Sequence, residues 1–405
     1  MNPLSTAVPL AFAYLRERLL GTMLNILLLA LGIGTIIALL LTLSQAEERM
    51  DRDAAGIDLV VGAKGSPLQL ILSSVFQVDI PTGNIPLAEA ERIGSEPVVK
   101  RAIPLALGDS YKSYRIVGTQ PAYLDLYGAG IASGRLWIKP MEVLVGAEVA
   151  ERTGLKLAKK FAGTHGLADG GGAHADQPFE VVGILKPTGT VIDRLILTAV
   201  DSIWRVHAHE PEEKPNGNAN HKDEDKEITA LLIQYATPMA AMSFPRRVNA
   251  ISGLQAASPA LETARLFALL GVGVAALKFF ALIMTLCAGL GIFIGLMNAL
   301  DERRGDLALL RVLGASRMTV FLTILVQGFA LGVAGVILGL ILGHAGVEWI
   351  GHTVAQVHRV QFTGLTWVSG EIAVIVAALV LALAAGLFPA WRAYRDAVPE
   401  LLSRT

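Results

Sequence analysis

Four long apolar stretches interrupt the chain. No charged residue falls between Leu19 and Ala46 or between Met318 and Val347. The block Leu266–Leu300 carries a single charge, Lys278, and Ile372–Trp391 lies uncharged between Glu371 and Arg392. A helix needs roughly 20 apolar residues to cross about 30 Å of hydrocarbon, so each stretch predicts a membrane-spanning helix. The first is far longer than the roughly 7–15-residue core of a signal peptide. It therefore reads as a retained anchor, although Ser44-Gln45-Ala46 would suit a cleavage site. Polar but helix-compatible runs, Ala46–Ala55 and Ala260–Phe267, predict that the first two spans continue outward as a stalk. Lys278 lies about 33 Å from Leu300 along such a helix, near the outer interface, where its stem can snorkel.

Residues 57–257 follow a different rhythm, of short alternating or β-branched runs between turn residues. Strands are expected at Ile57–Val61, Val98–Leu107, Tyr111–Val117, Glu142–Val145, Phe179–Leu185, Arg194–Thr198 and Ile228–Tyr235. Helices are expected at Leu87–Ile93, Ala147–Thr153, Val200–Val206 and Pro238–Ile251. Two segments, Gly163–Gln177 and His207–Glu227, are too polar or Gly-rich to bury much apolar surface and read as loops. The predicted fold class is a membrane protein of four transmembrane α-helices, with a large α+β domain inserted between helices 1 and 2.

Charge sets the orientation. Arg16 and Arg18 precede the first span; Arg303, Arg304, Arg311 and Arg317 separate the second and third; Arg392 and Arg395 follow the fourth. Lys and Arg accumulate on the cytoplasmic side. The expected order is therefore a cytoplasmic amphipathic N-terminus (1–18), helix 1 (19–46), a periplasmic domain (47–265), helix 2 (266–300) and a cytoplasmic segment (301–317). Helix 3 (318–343), a periplasmic loop (344–371), helix 4 (372–391) and a cytoplasmic tail (392–405) complete it. The chain would be a multi-pass membrane protein with both termini cytoplasmic.

Composition narrows the function. Of 405 residues, 53% are hydrophobic and 17% charged, with a net charge of -1, so nothing suggests nucleic acid as a partner. The single cysteine, Cys287, excludes an intramolecular disulfide and a cysteine-based metal framework. No nucleophile–base constellation is visible, and the spans lack the charge pairs, inverted repeat and broken helices of a secondary transporter's midplane site. Gly332, Gly335, Gly339 and Gly343 would permit close helix packing.

The segment Asp301–Arg317 is the most informative. Its acids, Asp301, Glu302 and Asp306, suit the start of a short helix, Gly314 its end, and Ser316 a cap for the next span. The run Glu302-Arg303-Arg304, a small apolar helix and Leu313-Gly314-Ala315-Ser316, directly after the second span, resembles the coupling segment of MacB/FtsX-type ABC transporter permeases. The ending Gly386-Leu387-Phe388-Pro389-Ala390-Trp391-Arg392, followed by Val398-Pro399-Glu400-Leu401-Leu402, is similar to that family's C-terminal signature. Tyr114-Arg115-Ile116-Val117-Gly118, Leu126-Tyr127, Ser133-Gly134-Arg135, Glu142–Gly146 and Phe179–Leu185 resemble its MacB-like periplasmic core domain.

The resemblance implies a non-catalytic permease subunit, with Glu302, Arg303, Arg304, Gly305, Leu307, Leu310 and Gly314 as the residues coupling it to an ATPase. It further implies a separate cytoplasmic ABC ATPase as partner and ATP carrier, a second permease copy (homo- or heterodimer), membrane lipid, and a candidate periplasmic adaptor or binding protein. Motion of the bundle would reach the outer domain, which acts on an envelope substrate such as a lipoprotein, peptide, siderophore or metal-linked cargo. No ATP-binding loop is in the chain: Gly62–Ser66 and Gly170–Gly172 do not fit G-x-x-x-x-G-K-[ST]. The His- and Gly-rich insertion after Leu157–Lys160 departs from the family's compact Gly-Asp turn. An FtsX-like regulator of a periplasmic enzyme is the first alternative.

A membrane-anchored zinc-binding or metal-delivery protein is the second alternative. It rests on His165, His174, His207, His209 and His221 in the two soft loops, and on His344, Glu348 and His352, spaced by four. Imidazole and carboxylate suit zinc, and a continued helix would put the second set on one face. Gly343, Gly346 and Gly351 weaken that helix.

Overall fold

The computed structural model describes residues 3–165, 177–207, 226–357 and 362–395. The chain divides into two compact units, residues 1–47 with 270–405, and residues 48–269.

The first unit is helical. Helix α1 (Pro3–Glu17) ends before Arg18, and α2 (Leu19–Ala54) follows at once. Helix α3 (Pro259–Glu302), the short α4 (Arg304–Val312), α5 (Arg317–Val357) and α6 (Gly370–Arg395) complete the set. Helices α2, α3, α5 and α6 are each long and apolar enough to cross a membrane. Helix α5 continues through the glycines at 343, 346 and 351 as far as Val357, so much of the 344–371 segment is helical.

Glycines set how closely these helices approach. A Cβ on Gly335 would meet the Leu29 side chain at 2.5 Å, and one on Gly339 would meet Ile33 at 2.9 Å and the Ala30 carbonyl at 3.1 Å. Gly343 lies against Ile37 and the Gly34 carbonyl in the same way. This i, i+4, i+8 row seats α5 on α2, while Gly332 seats α5 on Ala382 of α6. In hydrocarbon, where apolar burial gives no drive for association, such backbone proximity supplies the dispersion contacts that hold helices together. The bundle core is formed by Leu29, Ile33, Ile37, Leu41, Ile292, Leu296, Ile324 and Ala382, among others.

The second unit is a mixed α/β domain on one eleven-stranded sheet. Its nine principal strands are β1 (Leu59–Ala63), β2 (Val99–Tyr111), β3 (Tyr114–Thr119), β4 (Ile131–Gly134), β5 (Glu142–Val145), β6 (Phe179–Leu185), β7 (Ile196–Ala199), β8 (Ala230–Tyr235) and β9 (Leu254–Ala257). They lie in the order β9-β1-β8-β2-β3-β7-β5-β6-β4. Pairs β3–β7 and β5–β6 are parallel; the remaining neighbours are antiparallel.

Alternation along the strands divides the core. Val60 and Leu232 point to one layer, with Leu70 and Ile71 of helix Pro67–Ser74. Leu59, Val61 and Ile233 point to the other, against Ile93 of helix Leu87–Gly94 and Phe244 of helix Ala240–Asn249. Phe244 is fully buried, which contributes about 1.5–3 kcal/mol.

The sequence places a strand start at Tyr111; the structure ends β2 there. Lys112 and Ser113 take positive φ (48° and 58°) and turn the chain, so that Tyr111 pairs with Tyr114. Arg115 is buried; its guanidinium donates to the Ser73 carbonyl (2.9 Å), Gln77 Oε1 (3.3 Å) and the Asp79 carbonyl (2.7 Å). Burial among neutral acceptors pushes it down to about 10, still protonated at neutral pH. Asp53, in the last turn of α2, belongs to this second unit. Its Oδ1 accepts the Val191 N–H at 2.6 Å, and its own carbonyl accepts the Tyr127 hydroxyl at 2.9 Å.

Candidate functional site

The segment joining α3 to α5 turns sharply twice. Arg303 leaves helical geometry (φ -103°, ψ 18°) and splits α3 from α4. At the other end Gly314 takes φ +99°, a conformation that favours glycine. The Gly314 N–H reaches the Arg311 carbonyl at 3.1 Å, and the Ala315 N–H reaches the Leu310 carbonyl at 2.9 Å. These two bonds form a Schellman motif and satisfy carbonyls that the helix end would leave open. Ser316 Oγ then accepts the Thr319 N–H at 3.1 Å, capping α5.

The charged residues of this segment tie the end of the bundle together. Arg303 donates to Glu17 Oε2 at 2.5 Å and to the Tyr14 carbonyl at 3.3 Å, and its guanidinium carbon lies 4.0 Å from the Tyr14 ring centre. Arg303 thereby holds α1. Burial pushes the Tyr14 phenol up, against the pull of the Arg303 cation. Glu302 pairs with Arg18. Arg304 bonds Asp301 at 2.5 Å, and Arg392 of α6 approaches the same carboxylate at 3.6 Å.

Helix α4 presents two different faces. Leu307 and Ala308 are buried, and Leu310 packs on the bundle core. Leu309, Val312 and Leu313 are 60%, 66% and 76% exposed. Of the expected coupling residues, Leu307 and Leu310 seat the helix, Gly314 ends it, and Glu302, Arg303 and Arg304 are engaged in ion pairs. Around Gly305 a Cβ would meet nothing within 4 Å. The outward triad 309/312/313 is missing from the residues expected of the sequence. Its i, i+3, i+4 spacing was the available signal.

The opposite end of the bundle holds the other expected cluster. His344 Nδ1 lies 2.5 Å from the Gly364 carbonyl and Nε2 lies 2.9 Å from Glu371 Oε2. Glu371 Oε1 accepts the Val368 N–H at 2.9 Å. Glu348 Oε2 accepts the Gly364 N–H (2.7 Å) and the Thr363 hydroxyl (3.0 Å), and its Oε1 lies 3.1 Å from His352 Nε2. Gln45 of α2 closes the arrangement, donating to the Thr363 carbonyl at 2.8 Å and accepting its N–H at 2.9 Å. His344, Glu348 and His352 share a stretch of helix, yet both nitrogens of His344 are taken by protein groups. Among the described residues no group of three or more His, Cys, Asp or Glu is set to hold a metal. His165 closes the short strand Thr164–His165 beside β2, and His207 ends helix Val200–His207. His174, His209 and His221 lie outside the described residues.

The architecture is thus four membrane-length helices with a mixed α/β domain inserted after the first. Residues 22–243 match the sequence model of the MacB-like periplasmic core domain, and residues 278–398 match that of the FtsX-like permease C-terminal region. The chain belongs to the MacB/FtsX-type permease family. It is similar to the lipoprotein-releasing system transmembrane protein LolE of Haemophilus influenzae, with 32% identity over 123 residues. That match covers 27% of this chain and only 29% of the length of the relative. Among solved structures, the periplasmic region of MacB from Actinobacillus actinomycetemcomitans aligns at 12% identity and a TM-score of 0.34, covering 53% of this chain and 95% of that one. The extracellular domain of the noncanonic ABC-type transporter YknZ from Gram-positive bacteria aligns at 12% identity and a TM-score of 0.30, covering 49% and 98%. Both scores are low, and the family assignment rests on the sequence models.

Proposed function

We propose that this chain is the permease subunit of an ABC transporter that couples a separate cytoplasmic ATPase to work by the inserted domain on an envelope substrate. The supporting observation is α4: a short helix stopped at both ends, seated by Leu307 and Leu310, that offers Leu309, Val312 and Leu313 outward. A soluble helix end rarely leaves three neighbouring large apolar side chains uncovered, and a coupling helix needs such a surface for its ATPase. In this reading the four helices span the bacterial inner membrane, with the termini and α4 in the cytoplasm and the inserted domain outside. Two permease copies face two ATPase subunits. ATP-driven closure presses on α4, and the ion pairs of Arg303 and Glu302 carry the movement to α1 and α2. Similarity to LolE, a transmembrane protein of a lipoprotein-releasing system, favours lipoprotein as the cargo class.

The experiment is reconstitution of the full chain with its cognate ATPase in proteoliposomes. Leu309→Asp and Val312→Asp should abolish permease-dependent stimulation of ATP turnover while leaving the fold and membrane content unchanged, because both side chains already face outward. Unchanged turnover and cargo release in both variants would remove α4 as the coupling surface.

A further inference from the structure

Residues 362–369, which lead into α6, are strapped by several hydrogen bonds and display apolar side chains. Gly364 packs so closely on α5 that a Cβ there would strike the His344 carbonyl, and a Cβ on Gly351 would strike the Phe362 carbonyl. The hydrogen bonds of Gln45, His344, Glu348 and Glu371 fix the same segment from α2, α5 and α6. Held by this strap, Leu365 is 89% exposed and Trp367 is more than half exposed, with its ring stacked on His344 at 6.0 Å. The strap thus spends several polar contacts and two glycines on displaying two apolar side chains.

Their height along the bundle identifies what covers them. The uncharged run Ile372–Trp391 spans 20 residues, or about 30 Å of helix, which matches the hydrocarbon thickness. Glu371 and His344 therefore mark one boundary and Trp391 the other. Leu365 and Trp367 lie at the first boundary, just ahead of α6, on which Ile372, Val376, Val380 and Leu387 are exposed. Aromatic side chains concentrate at this depth because the ring is apolar while the indole N–H still reaches polar groups.

We infer that the strap Phe362–Val368 is a lipid-interface anchor, seating Leu365 and Trp367 among the headgroups and first acyl carbons of the leaflet at the end of the bundle where α2 leads to the inserted domain. Trp349, exposed one to two turns beyond His344 on α5, lies shallower, in the headgroup layer. The anchor holds the α5–α6 hairpin at a fixed depth while the α4 end moves. It rests on the membrane-spanning reading above.

The test is depth-resolved quenching of the full chain in vesicles whose phosphatidylcholine is brominated at defined acyl positions. Single-tryptophan forms, with the remaining tryptophans replaced by Phe, report Trp367, Trp349, Trp391 and Trp204 separately. The expected result is strong quenching of Trp367 by shallow bromines, weaker quenching of Trp349, and none of Trp204 in the inserted domain. Trp391 distinguishes the two readings. If it is quenched and Trp367 is not, the anchor is wrong while the bundle still spans; if neither is quenched, the spanning reading itself fails. Leu365→Cys in a Cys287→Ser background, labelled with an environment-sensitive dye, gives a second readout at a position too exposed to disturb folding. Blue-shifted emission in vesicles supports the anchor, and water-like emission overturns it.

Discussion

At the α4 end of the bundle, four ion pairs hold the helices: Arg18–Glu302, Arg303–Glu17, Arg304–Asp301 and Arg392–Asp301, each with at least one partner well exposed to solvent. At the opposite end, the carboxylate of Glu371 is 0% exposed and meets one imidazole and one backbone N–H. Exposed pairs contribute about 0.2–1 kcal/mol each and exchange partners easily. A buried carboxylate that loses its partner costs about 3–5 kcal/mol. The difference assigns mechanics to chemistry. The end proposed to receive force is tied by contacts that can slide, and the end proposed to hold depth is tied by contacts that cannot.

The largest expected effect follows from emptying the buried end. His344→Ala leaves the buried Glu371 carboxylate without its imidazole, and should lower stability by about 3 kcal/mol or more. Thermal unfolding in lipid nanodiscs measures it. A loss of under about 1 kcal/mol would mean that water or another group reaches Glu371, and the two ends would no longer differ.

Helix packing gives the next effect. Gly339→Ala drives a methyl to 2.9 Å from Ile33 and 3.1 Å from the Ala30 carbonyl. Overpacking of this kind costs about 1–3 kcal/mol. Gly305→Ala, by contrast, enters open space on α4 and should stabilise that helix by up to about 1 kcal/mol through propensity alone. The same unfolding measurement separates them by sign. Equal effects would show that the row of glycines on α5 is compositional and not a packing surface.

How much of this was readable in the sequence depends on how local each feature is. The four helices were legible because an apolar run's length is itself the signal. The helix stop at Gly314 and the cap at Ser316 were legible because both are made within a few residues. The outward face of α4 was not, since Leu307, Leu309, Leu310, Val312 and Leu313 place apolar side chains on both sides of a nine-residue helix. Only packing against the bundle shows which side is covered. The partner of His344 was hidden for another reason: Glu371 lies 27 positions away and on a different helix. The sequence spacing 344/348/352 instead suggested a shared metal face, whereas the structure divides those side chains between the strap and each other. The turn at Lys112-Ser113 escaped because neither residue advertises a positive φ.

A smaller effect is expected at the exposed end. Arg18→Ala removes the partner of Glu302 and should cost only about 0.2–1 kcal/mol, while weakening ATPase-to-cargo coupling more than stability. Raising salt toward about 1 M, where the Debye length falls to about 3 Å, should reproduce the stability loss in the wild type. A stability loss matching that of His344→Ala would erase the distinction between the ends.

The smallest effect tests whether a large pKa displacement marks a strong contact. In the inserted domain, Arg135 bonds both oxygens of Glu142 at 2.7 Å, and the Ile138 N–H adds a third bond at 2.8 Å. The guanidinium and these N–H groups hold the Glu142 carboxyl at about 2, against its usual 4.5. Because the folded value is the lower one, the contribution is fully present above pH 4.5 and is lost as pH falls toward 2. The pair faces solvent, so screening leaves little of that displacement as stability. Acid titrations of wild type and Arg135→Gln, followed by near-ultraviolet circular dichroism, should therefore differ only slightly, and only within that window, with the variant less sensitive to acid there. A wide divergence would place Glu142 with Glu371 among the carboxylates that lock the fold, and burial would no longer be what separates a fixed contact from a sliding one.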